Sequence, residues 1–356
     1  VKALVLAGGS GTRLRPFSSS MPKQLFPIAN KPVLEHVLEN IHSLGVTDVG
    51  IVVGERGAAI ADAIGDGSRF GATVTYIRQD QPLGLAHGVI LGRDFLGDDD
   101  FVLYLGDNVL PDGIAAIAEQ FRSERSAARV IVRKVADPRP FGVVELSADG
   151  TVRALVEKPR HPPSDLALVG VYFFRAPIHT AVTAITPSTR GELEITDAIQ
   201  WLLTHGAQVT VSEYAGYWRD VGEIDDVLDC NRKLLADVRA WVAGQVDAAS
   251  RLDGHVVVGC GSKVVRSRIE GPVIVGANTV IEDSRIGPNA SIGADCALRG
   301  TDLADSIVLD GAEISGLRGG VRRSVIGRFA AIRRCGQADG QHRLIVGDHT
   351  RIETAA

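Results

Sequence analysis

Cysteine is sparse and unpaired in this sequence. Cys230, Cys260, Cys296 and Cys335 are scattered, and no C-x-x-C metal or redox motif occurs. They read as reduced, mostly packed thiols of a cytoplasmic protein. No apolar run approaches the ~20 residues of a membrane span. The first apolar run lacks a signal-peptide pattern and reads as a strand, so no membrane association is expected. Positive charge is not in excess: 38 Lys and Arg stand against 43 Asp and Glu, a formal net charge of −5. That excludes a global basic field for nucleic acid. Tryptophan is rare (3) where glycine is abundant (40), and much of the glycine lies in the last third. What is there is ordinary for a globular chain, 45% hydrophobic and 23% charged, and 356 residues suffice for two domains.

The stretch that organises the sequence is its start. The apolar run Ala3-Leu4-Val5-Leu6-Ala7 reads as a buried strand and runs into Gly8-Gly9-Ser10-Gly11-Thr12-Arg13-Leu14. Glycines strip away side chains and let backbone N–H groups approach an anion. Arg13 and Lys23, the latter in Pro22-Lys23-Gln24-Leu25, stand where a polyphosphate needs its charge neutralised. A Walker A loop is excluded because no lysine directly follows the glycines. The dinucleotide fingerprint fails at Leu14, where its third glycine belongs. A bare strand-to-helix turn is the plain alternative, but the arginine and Pro-Lys-Gln are not turn chemistry.

Together, Leu6-Ala7-Gly8-Gly9-Ser10-Gly11-Thr12-Arg13-Leu14 and Pro22-Lys23-Gln24-Leu25 resemble the signature of the sugar-1-phosphate nucleotidylyltransferases. The resemblance implies that Leu6, Gly8, Gly9, Gly11, Thr12 and Arg13 bind the nucleotide.

Beyond the loop, Val33, Leu34, Val37, Leu38, Ile41 and Leu44 repeat at helical spacing and stop at Gly45. Strand Gly50–Val53, a helix near Ala58–Ile64 and strand Thr73–Ile77 follow. This alternation predicts an α/β fold, a Rossmann-like doubly wound mixed sheet, with ligands beyond the carboxyl ends of its strands. One such end carries Gln79 to His87. The Gln79 amide offers donor and acceptor together, which suits a pyrimidine edge, and Gly84 permits close backbone approach. By resemblance Gln79 and Gly84 read the base. His87 is expected as a packed or surface histidine. Another strand, Phe101–Leu105, ends in Gly106-Asp107-Asn108. Asp107 is well placed there for a metal that bridges phosphates, an Asx turn being the plain reading.

A hairpin, Gly142–Leu146 and Val152–Val156, leads into Glu157-Lys158-Pro159. In the resembled family this element binds the sugar phosphate, which assigns Glu157 and Lys158. Gly142 and the Val169-Gly170-Val171-Tyr172 strand match its sugar-contacting positions, and Arg190 and Glu192 reach the phosphate and hydroxyls. Thr196 or Glu194 is expected to cap the helix Ala198–Thr204. Asp220, in Tyr217-Trp218-Arg219-Asp220-Val221-Gly222, is the second metal-ligand candidate, since two carboxylates plus phosphate oxygens suit Mg²⁺. The family pattern implies that Asp107 and Asp220 converge.

In the last third, Val275-Gly276, Ile281, Ile286-Gly287, Ile292-Gly293 and Leu298 mark a spacing of five or six residues, and Val308, Ile314, Ile326, Ile332, Val346 and Ile352 continue it. This resembles the hexapeptide repeat of a left-handed parallel β-helix. The expected domains are 1–240, nucleotidyltransferase, and 250–356, β-helix. Gly316–Gly320 is expected to leave the helix as a loop. His255, His342 and His349 are the candidates for acyltransfer, but no acyl-donor motif accompanies them, so a structural or oligomerising role is expected.

The whole pattern looks most like the long thymidylyltransferase branch of the family, which differs from the short form by its β-helix and by His87 in place of a glutamine. The implied reaction is Mg²⁺-dependent nucleotidyl transfer from dTTP to glucose 1-phosphate for deoxysugar synthesis. Arg13, Lys23, Asp107, Lys158 and Asp220 are the implied catalytic set. UTP in place of dTTP, or broad nucleotide use, is the alternative. The chain is expected to form a homo-oligomer.

Overall fold

A computed structural model describes residues 1–9, 11–335 and 343–355. Ser10 and His342 lie outside the described residues, as does the side chain of Cys335. The chain divides into two compact units, Val1–Ser10 with Val33–Asp220, and Gly11–Pro32 with Val221–Ala356.

The first unit is built on a nine-stranded mixed sheet. Lys2–Ala7 lies at its middle, parallel to Asp48–Val53 on one side and to Phe101–Leu105 on the other. Thr73–Arg78 continues the parallel set beyond Asp48–Val53. Leu166–Phe174 then adds antiparallel to Phe101–Leu105. Leu4, Val5, Phe101, Leu103 and Phe174 are fully buried, as near-continuous apolar runs in a two-sided sheet require. Helix Val33–Ser43 falls where the helical spacing placed it, helices Gly57–Ile64 and Ile195–Thr204 lie within three residues of their expected bounds, and Leu85–Leu91 is a further helix. Because the chain leaves the central strand to one side and returns on the other, a topological switch point lies between Lys2–Ala7 and Phe101–Leu105. A crevice opens there beyond the carboxyl ends. The Gly106 N–H donates to the Leu6 carbonyl at 2.9 Å, so the two strand ends leave the sheet side by side.

The second unit is a left-handed parallel β-helix of the hexapeptide type with helix Ile224–Ala236 and the segment Gly11–Pro32. Its ladder begins at Trp241–Val242, which pairs with Val257–Val258. Three faces stack strand on strand, and Val275, Ile281, Ile286, Ile292, Leu298, Ile314, Ile326 and Ile332 fill the interior. Beginning at Arg251 the coils repeat every 17 residues, one short of three hexapeptides, and later ones range from 16 to 20. Corners need left-handed backbone, and Asn278 (φ 56°), Asp283 (φ 48°), Asn289 (φ 63°) and Asp295 (φ 56°) supply it. Hydroxyls line the inside of the corners. The Thr279 N–H donates to Ser262 Oγ at 2.9 Å, and the Cys296 N–H to Thr279 Oγ1 at 3.0 Å. Ser267, Ser284 and Thr301 form a second such column. A buried amide without a partner costs about 1–3 kcal/mol, so these small polar residues are structural.

Gly316–Gly320 does not leave the helix as a loop. Leu317 is 1% exposed in the β-helix core, and its carbonyl accepts from the Asp302 N–H. The turn adds a single residue to its coil, which reaches 18; a longer excursion would strip Leu317 of its packing. His255 Nδ1 meets the Val238 carbonyl at 2.8 Å, and His349 stacks on Phe329.

Within this unit one buried amide joins three elements. Asn231, on helix Ile224–Ala236, is 1% exposed. Its Oδ1 accepts from the Ala29 N–H at 2.8 Å and from Ser291 Oγ at 2.6 Å, and its Nδ2 donates to the Asn289 carbonyl at 3.4 Å. Ala29 and Asn30, both at positive φ, form the tip of the Pro27–Pro32 hairpin, and Asn30 Nδ2 donates to the Ile292 carbonyl at 2.6 Å. Asn231→Leu keeps the branched shape but leaves the Ala29 amide and Ser291 hydroxyl unpaired. It is expected to cost about 2–4 kcal/mol and to lower the melting temperature by several degrees; an unchanged denaturation midpoint would refute the tie.

Candidate active site

Four parallel strands of the first unit deliver the candidate residues at their carboxyl ends. Gly8 and Gly9 follow Lys2–Ala7, Gln79 follows Thr73–Arg78, and Asp107 follows Phe101–Leu105 by two residues. The fourth, Asp48–Val53, ends at Gly54. A Cβ on Gly54 would lie 2.9 Å from the Gly8 carbonyl oxygen, and one on Gly8 would lie 2.5 Å from Gln79 Oε1. Gly8 is therefore glycine because the Gln79 carboxamide lies against it. Gln79 is 9% exposed, and its Nε2 is 3.1 Å from His87 Nδ1. His87, expected as a merely packed or surface residue, is thus the partner of the base-reading candidate. Leu6 packs beneath helix Leu85–Leu91, where Gly88 has no room for a Cβ beside the Leu6 methyls.

Gly84 enters that helix at φ 104°, where a Cβ would lie 2.4 Å from the Leu193 carbonyl oxygen. The Leu193 N–H donates to the Leu83 carbonyl at 2.7 Å, and the Ala86 N–H to the Leu193 carbonyl at 3.0 Å. These two bonds tie the Gln79–His87 loop to the Arg190–Asp197 segment.

The sugar-side candidates form one polar cluster. Arg190 Nη1 is 3.2 Å from Glu157 Oε1 and 3.5 Å from Glu194 Oε1, and its Nη2 is 2.9 Å from Glu192 Oε2. Thr196 Oγ1 donates to Glu157 Oε2 at 3.2 Å. Gly142 makes room for both: a Cβ there would lie 2.8 Å from the Thr196 methyl and 3.1 Å from Glu157 Oε2. Lys158 Nζ lies 3.7 Å from Glu157 Oε1, and Lys158 holds φ 40°. A non-glycine residue in the left-handed region is strained by about 1 kcal/mol. Val169 (0% exposed) and Tyr172 (3%) point into the core, so any contact they make is through backbone. Between them Gly170, at φ 76°, lies so close to Asn108 that a Cβ would be 3.1 Å from its Cγ.

Asp220 lies on the short strand Arg219–Asp220, and Asp107 in the turn that leads into its partner strand Asn108–Val109. Asn108 pairs with Asp220 and Val109 with Arg219, so Asp107 is one residue out of register with Asp220. Asn108 is 2% exposed, accepts from Trp218 Nε1 at 2.6 Å and donates to Asp107 Oδ1 at 3.0 Å. It thereby orients one carboxylate. Sequence reasoning assigned no role to Asn108 or Trp218, and Thr196, expected as a helix cap, lies inside helix Ile195–Thr204 and bonds Glu157 instead. An asparagine directly after a strand-end aspartate was the only available signal.

Arg13 and Lys23 belong to the second unit. Arg13 lies on the short 3-10 turn Thr12–Leu14, with Nη1 at 3.3 Å from Glu223 Oε1. A Cβ on Gly222 would lie 3.1 Å from Arg13 Nη2. Gly11, at φ 63°, packs against the Lys23 stem. The Arg13 pair is exposed and contributes little stability, leaving the guanidinium available to an anion.

The sequence profile of the Nucleotidyl transferase family matches residues 2–237. The chain belongs to the nucleotidyl transferase family. This nucleotidyltransferase is 49% identical over 356 residues to the glucose-1-phosphate thymidylyltransferase of Streptomyces griseus, with 100% of both chains covered. It is 50% identical over 354 residues to that of Streptomyces antibioticus, covering 99% of each. Among solved structures it resembles one from Bacillus anthracis, provisionally a glucose-1-phosphate thymidylyltransferase, in complex with sucrose. The TM-score is 0.63 and the identity 33%, covering 67% of this chain and 97% of that one.

Glu194 is at the N-cap of helix Ile195–Thr204 but does not cap it with its side chain. That side chain accepts from Ser188 Oγ at 2.8 Å and is 3% exposed. Burial, reinforced by the Glu157 charge, raises its carboxyl above the ordinary 4.5 despite Ser188 and Arg190. A raised folded value means the native state holds the proton more tightly. Its stabilising contribution is complete below 4.5 and fades as pH rises through the folded value. Glu194→Gln, which keeps the acceptor for Ser188, should raise the melting temperature at pH 7 and leave it unchanged at pH 4. An equal shift at both values would contradict this.

Proposed function

We propose that this nucleotidyltransferase joins dTTP to α-D-glucose 1-phosphate, giving dTDP-glucose and pyrophosphate for deoxysugar synthesis. The observation that carries the reading is the switch point. There Gly8 and Gln79 offer a backbone cradle and a paired donor and acceptor for a base, and a two-carboxylate end lies one strand away. Near-half identity to two thymidylyltransferases over the whole chain supports the choice of nucleotide and sugar.

A sugar-phosphate oxygen attacks the α-phosphorus in line. The bond from that phosphorus to the β-phosphate bridging oxygen breaks, and pyrophosphate leaves with the electron pair. The nucleophile is already an anion, so no general base is required. The protein must orient two mutually repelling anions and stabilise the leaving charge. Arg13 and Lys23 neutralise the triphosphate and the departing pyrophosphate. Gln79 reads the base, with Gly84 allowing the loop to approach it. Lys158 holds the sugar phosphate, while Glu157 accepts from sugar hydroxyls and Arg190 steadies Glu157.

Mg²⁺ suits Asp107 and Asp220, which offer hard oxygens from a short strand and from the turn that leads into its paired strand. Among the described residues no group of three or more His, Cys, Asp and Glu forms a complete cage, so the remaining positions would fall to phosphate oxygens and water. When bound, the ion would neutralise charge on the α-phosphate. No helix among the described residues is long and apolar enough to cross a membrane. We assign the chain to the cytoplasm, and its β-helix to assembly as a homo-oligomer.

Pyrophosphate release with glucose 1-phosphate and each of dTTP, UTP, dCTP and ATP tests the reading. The expected order places dTTP first and UTP second. Preference for ATP, or no turnover with any pyrimidine nucleotide, would overturn it. Lys23→Ala is expected to lower kcat about 100- to 1,000-fold with an unchanged circular dichroism spectrum; near-normal turnover would remove Lys23 from the mechanism.

A further inference from the structure

We propose that His87 is a positioning residue for nucleotide choice: by accepting a hydrogen bond from Gln79, it decides which end of that carboxamide donates to the base. This rests on the reading above that Gln79 meets the base edge.

A carboxamide has nearly the same shape in its two flipped orientations, so packing alone cannot choose between them. Its hydrogen-bond partners must. The Gln79 side chain is confined on both sides. Oε1 lies against Gly8, where a Cβ would come within 2.5 Å, and Nε2 lies 3.1 Å from His87 Nδ1. In the neutral imidazole with its proton on Nε2, Nδ1 is an acceptor only. It takes one of the two Gln79 amide hydrogens and repels the carbonyl oxygen. Oε1 and the second N–H remain free for the base.

The two bases need opposite answers. Thymine and uracil present an N3–H donor beside a 4-oxo acceptor. Cytosine presents an N3 acceptor beside a 4-amino donor. For a base held in one place, the amide orientation that matches thymine mismatches cytosine. Flipping the amide reverses the preference.

His87 can serve as a fixed reference because its own position does not depend on the base. It lies in the first turn of helix Leu85–Leu91, whose entry is locked by the paired backbone bonds of Leu83 and Ala86 with Leu193. Ala86 and Gly88, its neighbours in that turn, are buried.

The test is the ratio of kcat/KM for dTTP to that for dCTP, with glucose 1-phosphate saturating. His87→Phe keeps a planar ring and removes the acceptor; His87→Leu does the same should the larger ring not be accommodated. Either is expected to lower the ratio about 10-fold, the scale of one hydrogen bond to a buried group, through dTTP loss and dCTP gain. His87→Asn, whose Oδ1 can accept near the place of Nδ1, is expected to restore the ratio. A ratio unchanged in the Phe and Leu variants of an enzyme that uses dTTP would overturn the role of His87 alone. So would an equal fall for both nucleotides, or no rescue by Asn. Wild-type protein that turns over no pyrimidine nucleotide would instead overturn the function proposed above, and this role with it.

Discussion

A parallel sheet whose chain leaves the central strand in both directions cannot cover the end of that strand. This constraint organises the first unit. Lys2–Ala7 is flanked by Asp48–Val53 and Phe101–Leu105, and the crossovers run away from its carboxyl end on opposite sides. The opening left there must be lined with something polar that has no need of a packed side chain. Gly8, Gly9 and Gly106 answer the second demand, and Gln79 and Asp107 the first. The sheet keeps its apolar side chains below, with Leu4, Val5 and Leu103 at 0% exposure, so rigidity and exposed chemistry are separated by a few residues along each strand.

Around this opening, polar side chains are ordered mostly by one another. Asn108 holds Asp107 and is itself held by Trp218. Glu157 is held by Thr196 and Arg190, and Gln79 faces His87. Each arrangement sits against a glycine that leaves the space: Gly170 beside Asn108, Gly142 beside Glu157, Gly8 beside Gln79. The pattern is consistent. A side chain that must present polar atoms to a ligand is placed by a second polar group, and the backbone beside it gives up its Cβ.

The second unit solves a different problem. Its coils bury a narrow apolar column and satisfy their corner amides with Ser and Thr hydroxyls. The Pro27–Pro32 hairpin is fastened to this stack through Asn231 and Asn30. Pro16 is close to Gly347, where a Cβ would lie 3.1 Å from the proline ring. The segment that carries Arg13 and Lys23 thus belongs to the same unit as the β-helix.

Much of this was legible in the amino-acid order. The glycine loop, the strand and helix periods, the strand-end aspartate at 107 and the repeat from Val275 onward are local patterns, and local sterics and burial dictate them. Strand Phe101–Leu105 and hairpin strand Gly142–Leu146 have the bounds their residues implied. The excursion expected at Gly316–Gly320 did not form, because interior burial of Leu317 outweighs the turn preference of its glycines. Hydrogen-bond partners were not legible. Asn231 meets Ser291 across 60 positions, and Trp218 meets Asn108 across 110. No period along the chain encodes a contact that depends on where two distant backbones come to rest. The order of residues alone determined the elements and the kinds of groups at their ends. Only the tertiary structure decided which polar atom faces which, because that choice is made by distance and orientation in space.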